Sequence, residues 1–111
     1  FIEALRRTPT DLPPAIDIEH DKCTSQRDQL VTGIKDFIGK VEQATGKQVV
    51  LYVYPDVESQ HQVRAEFSKN PQWVRSIGKR PVGNWWIWQR SDSGTVAGIA
   101  GRVDLNTMRA P

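Results

Sequence analysis

Cysteine is nearly absent: Cys23 is the only one in 111 residues, so no internal disulfide can form and the redox compartment stays unreadable. Excess charge of either sign is also lacking. A net charge of +2, with a pI of about 8.9, is too mild and too evenly spread to argue for nucleic acid. It would suit an anionic polymer only weakly. No apolar run approaches the roughly 20 residues of a membrane span, so no membrane partner is expected. No secretory leader is legible. The chain begins at Phe1 without a methionine, so a processed or truncated piece is expected. No internal repeat and no low-complexity segment occurs. What remains is 38% hydrophobic and 25% charged, an ordinary globular composition for a single domain over residues 1–111.

The stretch around which the rest is organised is Leu12-Pro13-Pro14-Ala15-Ile16-Asp17-Ile18-Glu19. The two prolines end whatever precedes them, and Ala15, Ile16 and Ile18 then suit a strand. Alternation puts Asp17 and Glu19 on one face and the isoleucines on the other. Two residues of strand span about 6.8 Å. Two acids so held suit glycosidic bond cleavage, in which one donates a proton and the other stabilises charge or positions a partner. A bare D-x-E is also what a solvated strand end looks like, and both readings stand at this point.

Before this strand, Phe1 to Arg7 reads as the last turns of a helix whose basic end suits the macrodipole. After it, His20 to Thr24 reads as a loop. Ser25-Gln26-Arg27-Asp28 is a capping start. Leu30, Ile34, Phe37, Ile38 and Val41 then recur at helical spacing, which predicts a helix over Ser25–Thr45 stopped by Gly46. Gln48 to Tyr54 is apolar without alternation, as in a parallel strand covered on both faces, and completes a βαβ unit. Val57–Phe67 predicts one weaker helix, broken by Asn70-Pro71. Gln72–Ile77 and Trp85–Gln89 predict two more strands. Ser91 to Gly94 reads as a turn, and Thr95–Ile99 and Arg102–Leu105 as short extended pieces. Five strands and two or three helices fit either a small open sheet or the later part of a (β/α) barrel.

In order, the Leu12–Glu19 stretch, Leu51-Tyr52, Trp73-Val74-Arg75-Ser76, Trp86-Ile87-Trp88-Gln89 and Gly98–Asn106 with its V-D-L-N resemble the motifs of glycoside hydrolase family 25, the Chalaropsis-type N-acetylmuramidases. The resemblance covers nearly the whole chain from Leu12. It implies an α/β fold of which this chain is the later part, an N-terminally truncated, TIM-like (β/α) barrel. It implies a peptidoglycan hydrolase that cuts the β-1,4 bond between N-acetylmuramic acid and N-acetylglucosamine. Glu19 matches the family's proton donor, and Asp17 the neighbouring carboxylate that assists the acetamido group. Asp104 matches the V-D-L-N aspartate, Tyr52 the tyrosine ending the next strand, and Trp88 and Gln89 the W-Q pair. Two positions depart from the pattern: Arg90 stands where the family usually has Tyr, and Met108 where it usually has Phe. The implied partner is the glycan strand, without cofactor, at a cell wall reached by secretion, from the periplasm or from a phage. A non-catalytic sugar-binding module is the alternative.

Physical chemistry adds expectations of its own. Barrel chemistry gathers at the C-terminal ends of strands. Partial burial beside aromatics and a second carboxylate would raise Glu19 into the range of a general acid. Tyr52 and Tyr54 share a face, and either could pack or bind. Alternation puts Trp86 and Trp88 together as a sugar-stacking platform and Trp85 opposite, although three such tryptophans also suit a core. His20, Asp21 and Cys23 offer ligand types at no standard spacing, so no metal site is expected. His61 is expected to be an exposed helix residue, and Lys79-Arg80 a solvated loop. An open barrel leaves a strand edge beside Ala15–Glu19, through which self-association is expected.

Overall fold

A computed structural model describes residues 1–19 and 26–110. Helix α1 covers Ile2–Arg7 and strand β1 Ala15–Ile18. Helix α2 covers Arg27–Thr45, and β2 covers Val50–Val53. Helix α3 covers Pro55–His61, followed by a 3₁₀ turn over Arg64–Phe67. Strands β3 (Gln72–Arg75), β4 (Ile87–Gly94) and β5 (Val103–Met108) complete the described elements. They form one five-stranded sheet in the order β1-β2-β3-β4-β5. The first three pairings are parallel and β4–β5 is antiparallel. The α/β class holds, as a partial (β/α) barrel whose edges are β1 and β5.

The core lies between one face of the sheet and the helices. The apolar stripe of α2 buries Val31, Ile34, Ile38 and Val41 against Ile18, Leu51 and Val53, with Val57 and Phe67 closing the far end. Because β1 alternates, burying Ile18 turns Asp17 to the opposite face. Gly46 ends α2 in the left-handed region (φ 69°), its N–H donating to the Glu42 carbonyl. The Glu42 carboxylate also accepts from the Val49 N–H and the Asn70 amide, tying the helix end to the start of β2.

Several boundaries differ from the sequence-based expectation. Helix α2 begins at Arg27, with Gln26 as an N-cap that makes no side-chain cap bond. Ser25, the expected cap, lies outside the described residues. The single helix expected over Val57–Phe67 is two pieces. Pro55 starts α3 early, as proline at a first helical position does. Gln62, at φ 52°, then reverses the chain so that Val63 becomes fully buried. His61 is buried, only 5% exposed, rather than exposed, and its carbonyl accepts from Arg27 Nε at 2.6 Å. Ser91–Gly94 is not a turn but the end of β4. Register shifts between Gln89, Ser91 and Gly94 absorb its extra residues. At Gly94 a Cβ would come within 2.4 Å of the Leu105 side chain, so any larger residue here would force that side chain to move. Thr95–Ile99 forms no strand, and β5 extends to Met108 instead of stopping at Leu105. No helix among the described residues is long and apolar enough to cross a membrane.

Candidate active site

Register carries Asp17 of β1 into a row. Asp17 stands opposite Tyr52, Tyr52 opposite Trp73, and Trp73 opposite Ile87. The next row holds Arg75, Gln89 and Asn106. Asp17, Glu19, Tyr52, Trp73, Gln89 and Asp104 line one cleft of about 240 Å³ on the face of the sheet away from the helices. The cleft therefore unites carboxylates from both edge strands. Asp17 and Glu19 are exposed, so the partial burial expected around Glu19 is not supplied by the described residues.

Two side-chain bonds fix the floor. Tyr52 Oη donates to Gln89 Oε1 at 2.8 Å, and Trp73 Nε1 donates to Asn106 Oδ1 at 2.9 Å. The Tyr52 and Trp73 rings meet edge to face, with centroids 5.7 Å apart. Burial pushes the Tyr52 phenol up to about 12; Arg75 opposes this, while Asp17, Glu19 and Tyr54 reinforce it. At neutral pH Tyr52 is thus a fixed donor. Below, Arg64 braces the ends of β2 and β3. Its guanidinium donates to the Val53 carbonyl at 2.8 Å and to Gln72 Oε1 at 2.9 Å. Burial lowers the Arg64 pKa, and the nearby Glu58 opposes the shift.

The Tyr52 shift has a measurable consequence. Its neutral form is favoured in the folded state, so its contribution to stability is present below pH 10 and is lost as pH rises towards about 12. Chemical denaturation across that range should show stability falling in the wild type and a weaker fall in Tyr52→Phe. Parallel curves for the two proteins would contradict the assignment. At pH 7 the same variant strands the buried Gln89 oxygen, a loss of about 1–3 kcal/mol.

Other expected site residues lie elsewhere. Tyr54 does not line the cleft; its ring packs against the core and carries the Arg75 guanidinium 5.3 Å from its centroid. Trp86 and Trp88 do not form a shared platform. Trp85 and Trp86 precede β4, so strand alternation does not govern them. Trp86 joins Trp73, Ile87 and Met108 around an adjoining apolar hollow of about 290 Å³. Trp88, next to inward-facing Gln89, turns the other way. It meets Trp85 edge-on, with centroids 6.0 Å apart, and donates Nε1–H to the Ser76 carbonyl at 2.8 Å. Trp85 is itself buried under the Arg109 guanidinium. His20, Asp21 and Cys23 lie outside the described residues, and no metal-holding group of three or more His, Cys, Asp or Glu occurs among the described ones. Trp73, Arg75 and Asn106 were not singled out for the site from sequence, although the alternation of Gln72–Arg75 puts Trp73 and Arg75 on one face.

The profile of the Glycosyl hydrolases family 25 matches residues 1–99. The chain belongs to this family. The resemblance read from its motifs is thereby borne out. Among the relatives, the protein YegX of Escherichia coli O157:H7 is 31% identical over 110 residues, which cover 96% of this chain and 40% of that one. Lysozyme M1 of Streptomyces globisporus is 32% identical over 111 residues, 86% of this chain and 37% of its own. Among solved structures, the spore cortex lytic enzyme SleM of Clostridium perfringens superposes with a TM-score of 0.84 at 23% identity, over 97% of this chain and 42% of its own. That likeness carries the fold. The chain spans about 40% of the length of the curated relatives it matches.

Proposed function

We propose that the protein carrying this chain is a peptidoglycan hydrolase that cleaves the β-1,4 bond between N-acetylmuramic acid and N-acetylglucosamine. The observation that carries this is the meeting of Asp17, Glu19 and Asp104, from opposite sheet edges, in one cleft floored by Tyr52, Trp73 and Gln89. Membership of family 25 and the name of Lysozyme M1 support the same substrate class.

In this reading Glu19 protonates the glycosidic oxygen as the bond to the anomeric carbon breaks. The 2-acetamido oxygen of the same sugar attacks that carbon, and Asp17 accepts the acetamido N–H and steadies the positive ring that forms. Water then opens the ring, giving its proton back to Glu19. Tyr52 and Trp73 supply aromatic surface for the sugar, with the polar Gln89 beside them.

The test is product chemistry. Purified peptidoglycan is digested with the full natural protein, and the new reducing ends are converted to alditols with borohydride. Muramitol is expected. Glucosaminitol would overturn the bond assignment. Wall binding without new ends would favour the alternative, a non-catalytic sugar-binding module.

A further inference from the structure

A cleft lined by three carboxylates repels an anionic polymer unless a cation offsets them. Peptidoglycan is such a polymer: its muramic residues carry a lactyl ether, and the peptides on that ether carry free carboxylates. Arg75 lies two residues beyond Trp73 on the same face of β3, paired in register with Gln89, a cleft-lining residue. Its side chain is 22% exposed, so it is partly desolvated yet reachable. Nη2 donates to Asp92 Oδ2 at 2.6 Å, and the guanidinium carbon sits 5.3 Å from the Tyr54 ring centroid. Together these two contacts fix the plane of the fork. A guanidinium has five N–H donors. Among the described residues, Asp92 alone accepts a hydrogen bond from Arg75, so the other donors are available to a ligand. Arg64 differs, because its guanidinium is committed to Val53 and Gln72.

We infer that Arg75 is a specificity-determining residue that receives a carboxylate of the muramic substituent, as a planar fork receives a planar anion. The inference rests on the glycan reading above and deepens it. Asp92 holds the fork in place, and Tyr54 backs it, so the arginine is pre-oriented before substrate arrives. This also gives Tyr54 a part in binding without lining the cleft.

The experiment uses the full natural protein and two matched pairs of probes, titrated by NMR at low salt. One pair is N-acetylmuramic acid and its methyl ester; the other is N-acetylmuramoyl-L-alanyl-D-isoglutamine and its methyl ester. Wild type is expected to bind the acid about tenfold more tightly than the ester in at least one pair, the scale of a hydrogen bond to a charged group. Preference within the first pair assigns the lactyl carboxylate, and preference only within the second assigns the peptide. Arg75→Gln should bind acid and ester alike. The Arg75 Nε–H resonance should move with the acid and stay with the ester, a readout that needs no variant. Equal binding of acid and ester by wild type, or a preference retained in Arg75→Gln, would overturn the inference while leaving the glycan reading intact. Binding of none of the four probes would overturn both.

Discussion

Glu19→Gln, made in the full natural protein, is expected to lower lysis of bacterial walls by about 10²–10⁴-fold, the usual contribution of a general acid. The amide keeps the shape of the side chain and loses both the transferable proton and the ability to ionise. Glu19 follows the last residue of β1, is exposed, and lies on the face away from the apolar core, so thermal unfolding should be little changed. Turbidity loss of a wall suspension measures the rate, and calorimetry measures the fold. Lysis at near wild-type rate by a folded Glu19→Gln protein would remove Glu19 from the role.

Asp17→Asn comes next in size. Asp17 sits in the register row with Tyr52 and Trp73, so its place in the cleft is set by strand pairing rather than by a loop. The amide can still hydrogen-bond the acetamido group but cannot carry the charge that steadies a cationic ring. A loss of about 10²–10³-fold is expected, as for the removal of one preorganised electrostatic contact. The stereochemistry of the wild-type product gives a second check. Assistance by the acetamido group requires two displacements and therefore retention at the anomeric carbon, which NMR of freshly formed product reads directly. Inversion would recast Asp17 as a base acting through water.

Much of this was legible in the sequence because it follows from local rules. The stripe of α2 needs only 3.6-residue periodicity, and the outward turn of Asp17 and Glu19 needs only the alternation of β1. The family emerged from five short motifs in order. What was not legible depends on long-range contacts. The burial of His61 follows from the packing of α3 after Gln62 turns left-handed, which no pattern of apolar residues announces. Alternation misplaced Trp86 because the strand starts two residues later than expected, at Ile87. Ser91–Gly94 has the composition of a turn, and only pairing with β5 makes it strand. Arg75 could have been placed on the cleft face from spacing alone, but its bond to Asp92 spans seventeen residues of sequence.

The bonds Tyr52–Gln89 and Trp73–Asn106 each join strands that are not neighbours: β2 to β4, and β3 to β5. In a flat sheet, strands two places apart are separated by about 9.6 Å, and β1 and β5 by about 19 Å. Asp17 and Asp104 nevertheless line the same cleft. The sheet must therefore curl into a trough, and the two bonds act as struts across its concave side. Catalytic distance in this protein is then a matter of curvature. A substitution that cuts a strut, such as Trp73→Phe, is expected to let the trough flatten and to draw the acids apart.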